Sequence, residues 1–479
     1  MEINREDSFK NKKFGFIGGA GPHGQVIRVH NLTDDYECDS IDAGGIDADS
    51  GELAKLLGDT SYDGFSISGP YMIRAAEMMD VLSDDAAMTH AVNTVRRLED
   101  GRLAGYNTLV SAARHLLEGR VKGGKCLIFG TGSAAVSTAA ALRAVGADEI
   151  VFVSRDPDRA QQTGLLSSVD GSVPVNDGIK VIGYDSLHIH YDAEVIINCT
   201  PCGRFPELDR SPITDRRMSV RMFAGLELAV DLIYDPFRTK FLQDAKRLTG
   251  CRVRSGLDMM IVQAIEAGNI WMERPVLHGC SAEKIRAVRR SILEEQLNVV
   301  AVGMPGSGKT TIFRRYAYEL GLDFIDTDAE AAEMMGISVK DALSEGGPGE
   351  DYFRMKEHEA VRKACIHRHK VIATGGGTML NPINRDLLKA NGIVVYVRRP
   401  LEMLDTRNRP ISISRGLTEM FRKREGIYRR VSDISLYNTR IFGERKAKTG
   451  EGNSYNYELK GFVYYMARKI ERYLNELEG

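Results

Sequence analysis

The sequence has no long apolar run, no excess of charge of either sign and no composition-biased linker, and each absence removes a class of function. No apolar stretch nears the length of a bilayer span, and the polar start MEINREDSFKNKKF lacks the apolar core of a signal peptide. A cytoplasmic protein with no membrane partner is therefore expected. Lys+Arg 64 against Asp+Glu 66 gives no general attraction to nucleic acid or anionic lipid, which favours small-molecule chemistry. The seven cysteines (38, 126, 199, 202, 251, 280 and 365) are scattered, as suits reduced thiols rather than a disulfide framework. Cys199 and Cys202 have redox spacing but follow a strand rather than open a helix, so they are taken as an incidental pair. His188 and His190 stand without a neighbouring ligand cluster, and no metal site is expected there. Internal repeats are lacking too, and at 479 residues the chain exceeds one compact core, so about two or three domains are expected.

Against these absences, Val299 to Thr311 carries chemistry that can be read directly. An apolar strand runs into Gly303-x4-Gly308-Lys309-Thr310 and on into a helix, the context a phosphate-binding loop requires. Gly303, Gly306, Ser307, Gly308 and Thr311 would line the cradle with backbone N–H groups at a helix N-terminus. Lys309 would reach the outer phosphates and the Thr310 hydroxyl would ligate Mg²⁺. Asp326 and Asp328 follow the apolar run Leu322 to Ile325, where carboxylates can face bound phosphates, organise Mg²⁺ and orient an acceptor hydroxyl. The plainer alternative is a helix N-cap, and Asp328 could serve both purposes. Arg354 and Glu357 share a helix face, and Gly375, Gly376 and Gly377 end a further strand as a close backbone approach to a ligand would require.

Upstream the pattern alternates strand and helix. Phe14 to Gly18 is a strand entering a Gly-rich turn and the alternation continues to about residue 113, a mixed α/β unit. Lys125–Phe129 is a strand, Gly130 to Ala135 a tight turn carrying Gly130, Gly132, Ser133 and Ala134, Val136 to Val145 a helix, and Glu149–Val153 a second strand. That βαβ unit opens a doubly wound sheet, continued by strands at 194–198 and 228–233, and suggests dinucleotide binding. Ser281 caps a helix through Gln296 that leads straight to the phosphate-loop strand. The expected organisation is 1–113 as a mixed α/β unit, 114–255 as a Rossmann unit, 276–296 as a helical connection, and 297–479 as a phosphate-loop domain with a parallel sheet. The polar segment from Arg440 to Asn453 reads as a solvated loop.

The C-terminal motifs, in order Gly303-x4-GKTT, Asp326-x-Asp328, Phe353-Arg354-x2-Glu357, Gly375-Gly376-Gly377, Arg409-Pro410 and Arg424-x3-Tyr428, resemble the shikimate kinase family over nearly all of 297–479. The resemblance implies that Arg354 and Arg424 clamp a substrate carboxylate, that Asp328 holds the hydroxyl to be phosphorylated, and that Gly376 and Gly377 touch the substrate through backbone. It also implies that Asp326 acts on Mg²⁺, that Arg407 lies against adenine, and that Arg409 descends onto the phosphates as a catalytic lid residue. Forked guanidiniums suit a planar carboxylate. The chain departs from the family in its lid, with one residue between Arg407 and Arg409 and Ile411-Ser412 after Arg-Pro, so turnover is expected to be altered.

Residues 14–275 resemble shikimate dehydrogenase, through Ala91-Val-Asn93-Thr94, Asn107-Thr108, Asn198-x-Thr200-Pro-x-Gly203, Asp231-Leu-Ile-Tyr234 and Gly256-Leu-Asp-Met259-x3-Gln263. The resemblance implies that 1–113 is a substrate-binding unit to which a helix at 256–275 returns. Three positions break the pattern. Met72 replaces the family lysine after Pro70-Tyr71, Leu109 replaces the aspartate after Asn107-Thr108, and His23-Gly24-Gln25-Val26-Ile27 replaces the serine-bearing substrate loop. Removing a hydroxyl proton during hydride transfer needs a positioned acid or base, a contribution of ~10²–10⁴-fold that Met and Leu cannot make. Asn93 and Gln263 persist as positions for a small polar ligand. Arg155 and Arg159 favour NADP, whereas Asp156 suits the free ribose of NAD, and loss of the cofactor is compatible with the residues.

The expectation is thus an α/β protein that phosphorylates shikimate with ATP and Mg²⁺, behind a dehydrogenase-like region that has lost its catalysis. Two alternatives stand beside it: a bifunctional NADP-dependent shikimate dehydrogenase and kinase, and an N-terminal ligand-sensing or scaffold module that tunes the kinase. A homo-oligomer is left open.

Overall fold

The computed structural model describes residues 12–18, 24–32, 35–43, 51–162, 180–276, 281–404, 416–439 and 452–477. The chain folds as two compact units that divide between Arg289 and Arg290.

The first unit holds two sheets. In one, Lys13–Gly18 (β1), Glu37–Asp42 (β2), Gly64–Ile67 (β3), Val81–Leu82 (β4), Thr94–Arg97 (β5) and Leu103–Tyr106 (β6) lie in the order β2-β1-β3-β5-β6-β4. The β3–β5 and β5–β6 pairs are antiparallel and the others parallel, so this sheet is mixed. Its core collects Phe65, Ile67, Leu53, Val92 and Val95, and Met72 is packed among them. The helix Leu257–Met272 returns to this layer, where the Trp271 indole donates to the Val95 carbonyl at 3.0 Å.

The other sheet is wholly parallel: Lys125–Phe129 (β7), Glu149–Ser154 (β8), Lys180–Gly183 (β9), Val195–Asn198 (β10), Leu228–Asp231 (β11) and Arg252–Ser255 (β12), ordered β12-β11-β10-β7-β8-β9. Near-continuous Val, Ile, Leu and Phe in its strands reflect burial on both faces. The helix after β7 runs Ser133–Ala144, three residues earlier than its apolar period predicts. Extended Gly132 ends the turn and lets the small residues Ser133 and Ala134 join the first helical turn.

The second unit is one parallel sheet of Asn298–Val302 (β13), Phe324–Asp326 (β14), Val371–Ala373 (β15), Gly392–Arg398 (β16) and Ile434–Tyr437 (β17), ordered β14-β15-β13-β16-β17. Register aligns Ala301 with Ala373 and Ala373 with Asp326, so the loops leaving β13, β14 and β15 emerge side by side at one sheet edge. Adjacent carboxyl ends of parallel strands form the crevice in which ligands of α/β folds bind. Among the described residues, no helix is long and apolar enough to cross a membrane.

Candidate functional site

In the second unit, the loop from β13 into the helix Lys309–Leu320 is held in a cradle by left-handed backbone at Gly306 and Gly308, with φ of 79° and 91°. A side chain at either position would meet that conformational penalty. Ser307 is fully buried and its carbonyl accepts from Asn438 Nδ2 at 2.8 Å, which ties the loop to the end of β17. The Lys309 ammonium is folded back onto the carbonyls of Gly303 and Met304, at 2.9 and 3.0 Å. Thr311 follows on the first turn of the helix.

Beside the cradle, the Thr310 hydroxyl lies 3.3 Å from Asp326 Oδ2. A hydroxyl and a carboxylate are the hard oxygen donors that Mg²⁺ accepts, so the pair fits that cation. Asp326, not Asp328, caps the next helix, Thr327–Met335, accepting from the N–H groups of Asp328 and Ala329. Capping by Asp326 leaves the Asp328 side chain uncommitted. Its Oδ1 is sealed from solvent with no hydrogen-bond partner among the described residues. Burial, with Glu357 and Asp326 adding negative charge nearby, pushes the Asp328 carboxyl up to about 6.

The helix Glu350–Cys365 brings Arg354 and Glu357 against the glycine loop. Arg354 donates to Glu357 Oε2 at 2.8 Å and to Glu350 Oε1 at 3.3 Å. Burial opposes the Arg354 charge, but the two glutamates outweigh it and hold the guanidinium above its ordinary value. The glycines are required by space: a Cβ on Gly375 would sit 2.3 Å from Asp328 Oδ1, and one on Gly377 2.4 Å from an Arg354 nitrogen. From the helix Leu417–Val431, buried Arg424 donates to the Gly376 carbonyl at 2.8 Å, and the Tyr428 hydroxyl donates to the same oxygen. Burial lowers the Arg424 value, and the nearby Arg354 charge lowers it further. Two guanidiniums, a proton-hungry carboxylate and a phosphate cradle thus converge, an arrangement able to hold an anionic alcohol against a nucleotide. Sequence reasoning missed Thr378, whose hydroxyl donates to Glu357 Oε1 at 2.7 Å, and Asn438; neither carries a motif signal. Arg407, Arg409, Ile411 and Ser412 lie outside the described residues, as does Arg440 to Glu451.

In the first unit, a cavity of about 720 Å³ is lined by Gly130, Gly132, Arg155, Asp156 and Arg159 together with Cys199 and Cys202. Ser133 and Ala134 start the helix behind the glycine turn. The Asp156 carboxylate accepts from the Arg159 N–H at 3.1 Å, so part of its charge is spent capping a helix. Burial pushes both cysteine thiols up to about 12, which disfavours thiolate chemistry. Met72 is 3% exposed, and its sulfur accepts from the Ser133 hydroxyl at 3.5 Å. Leu109 packs on the same apolar cluster. Asn93 is fully buried, with its amide committed to Thr108: Nδ2 donates to Thr108 Oγ1 at 2.9 Å and Oδ1 accepts the Thr108 N–H at 2.8 Å. Gln263 lies on the returning helix, partly exposed. His23 lies outside the described residues.

Comparisons with known proteins match the C-terminal part of the chain to one family and the N-terminal part to another. A family model for shikimate kinase matches residues 305–448. The shikimate dehydrogenase (NADP(+)) of Caldicellulosiruptor bescii is 31% identical over 272 residues, 55% of this chain and 90% of that protein. Its namesake from Pelodictyon phaeoclathratiforme is 31% identical over 297 residues, 59% of this chain and 97% of that one. Among solved structures, a chorismate mutase/shikimate 5-dehydrogenase fusion protein from Clostridium acetobutylicum has a TM-score of 0.50 at 25% identity, covering 59% of this chain and 98% of its own.

Proposed function

Because the chain belongs to the shikimate dehydrogenase family through its N-terminal part and carries a shikimate kinase domain behind it, we propose that it converts ATP and shikimate to ADP and 3-phosphoshikimate and has lost the dehydrogenase reaction. The observation that carries the kinase assignment is Asp328: a sealed carboxylate oxygen with no hydrogen-bond partner among the described residues, near the phosphate cradle, half-buried Arg354 and buried Arg424.

Arg354 and Arg424 bind the substrate carboxylate, with Gly376 and Gly377 giving backbone contact. Asp328 accepts the proton of the hydroxyl that attacks the terminal phosphorus of ATP, and its raised affinity for protons suits that role near neutral pH. Gly303, Gly306, Ser307, Gly308 and Thr311 hold the phosphates, while Lys309 leaves its two loop carbonyls to follow the transferring group. Thr310 and Asp326 would hold Mg²⁺, which when bound offsets phosphate charge. The family resemblance implies that Arg407 would lie against adenine and Arg409 would act on the phosphates. The test is coupled ADP release by the full chain: shikimate should elicit it, and Asp328→Asn and Arg354→Ala should each remove most of it. Absence of shikimate-dependent ADP release would sink the assignment.

For the first unit, the apolar packing of Met72 and Leu109 supports loss of hydride chemistry, since no proton acceptor stands where the family places one. The cavity beside Gly130 and Gly132 supports a second role, binding of a dinucleotide as a sensing module. Arg155 and Arg159 favour NADP over NAD, the more so as Asp156 is engaged in capping. Calorimetric titration should show NADP⁺ binding that Arg159→Ala weakens, without shikimate-dependent reduction. Heat from neither dinucleotide would remove the sensing role, and reduction of NADP⁺ would restore the bifunctional alternative.

A further inference from the structure

We propose that Thr378 is a positioning residue of the kinase site: its hydroxyl fixes the buried Glu357 carboxylate, and Glu357 in turn aims Arg354. The inference rests on the assignment of Arg354 to the acceptor carboxylate.

Glu357 is 1% exposed and Thr378 is fully buried. The two Glu357 oxygens are divided between two donors, Oε1 taking the Thr378 hydroxyl at 2.7 Å and Oε2 taking Arg354 Nη1 at 2.8 Å. The contact closes into a ring. The Thr378 carbonyl accepts from Asn384 Nδ2 at 3.3 Å, and Asn384 Oδ1 accepts from His358 Nδ1 at 2.6 Å. His358 follows Glu357 on the same helix, so the ring joins that helix, the turn Thr378–Leu380 and the helix Pro382–Ala390. Such a ring leaves the carboxylate one orientation.

Without the hydroxyl, Glu357 Oε1 becomes a buried charged acceptor lacking its donor and must turn to recover one. The donor within reach is Arg354, and turning toward it would draw the guanidinium out of line. The way toward Gly375 is closed by a second carboxylate, since a Cβ on Gly375 would lie 2.8 Å from Glu357 Oε1 and 2.3 Å from Asp328 Oδ1. Grip on the acceptor therefore suffers while the phosphate cradle, on a different loop, is untouched.

Two measurements on the full chain test this. In steady-state kinetics with saturating ATP, Thr378→Val should raise KM for shikimate about tenfold, the cost of one lost bond to a buried charge. Both kcat and KM for ATP should stay within about threefold, and Thr378→Ser should return KM to near its starting value. Unchanged KM in the valine variant, or a fall in kcat alone, would overturn the proposal. The second measurement needs no turnover: the rate of Arg354 modification by phenylglyoxal, read from its peptide by mass spectrometry, should rise in Thr378→Val and not in Thr378→Ser. Equal rates in all three proteins overturn the relay whatever the kinase does. Faster labelling of the valine variant in a protein that does not phosphorylate shikimate sinks the assigned function alone. Thr378→Ala carries the same expectations should the valine variant fail to fold.

Discussion

Asparagine at Asp328 should make the protein more stable and nearly inactive, and both effects follow from one buried oxygen. The Asp328 carboxyl is held at about 6 against an ordinary 3.8, chiefly because burial disfavours its charge. A raised value means that the folded state binds the proton more tightly than the unfolded state. The stabilising contribution is therefore complete below pH 3.8 and is lost as the pH rises through about 6. The difference corresponds to about 3 kcal/mol, an upper bound because solvent reaches part of the side chain. Asparagine carries no charge to bury, so Asp328→Asn should unfold later than the parent at pH 8, with about half that advantage at pH 5. Scanning calorimetry of the full chain is the assay. Tryptophan fluorescence would report elsewhere, because the only tryptophan, Trp271, lies in the first unit. In the same samples kcat/KM of the parent for shikimate should fall below about pH 6, and the variant should lose ~10²–10⁴-fold. A variant no more stable than the parent at pH 8, or equally favoured at pH 5 and 8, would refute the account of Asp328.

Two further outcomes follow from packing. Gly377→Ala should raise KM for shikimate with ATP affinity unchanged, because the new Cβ would lie 2.4 Å from Arg354 Nη2 and 2.6 Å from Cζ, too close to coexist with the present guanidinium; steady-state kinetics checks this. Met72→Lys should not restore NADP⁺ reduction and should destabilise the first unit by about 3 kcal/mol, since it sets an ammonium among Phe65, Ile67 and Val92 without a carboxylate at Leu109 to pair with it. Urea unfolding followed by Trp271 fluorescence measures the loss, and an unchanged midpoint would contradict the packing argument.

Much of the chain was legible from local signals. Glycine spacing and strand-helix alternation located both α/β units and the phosphate loop, because these features depend on residues within a few turns of one another, whereas the replaced positions Met72 and Leu109 were legible only through the family resemblance. The helix Ala282–Gln296, capped by Ser281, and the strand Lys125–Phe129 fall where the sequence pattern puts them. Tertiary structure decided the rest. Whether Asp326 or Asp328 caps the helix depends on how β14 ends against β15, which no spacing rule contains. The raised proton affinity of Asp328 arises first from burial and then from Glu357, a residue 29 positions away that the fold brings close. Thr378 and Asn438 gained their roles the same way, as ordinary polar residues buried opposite a carboxylate and a loop carbonyl. In sequence each could be any surface hydroxyl or amide. Burial, which the fold alone sets, makes a single hydrogen bond able to fix a side chain.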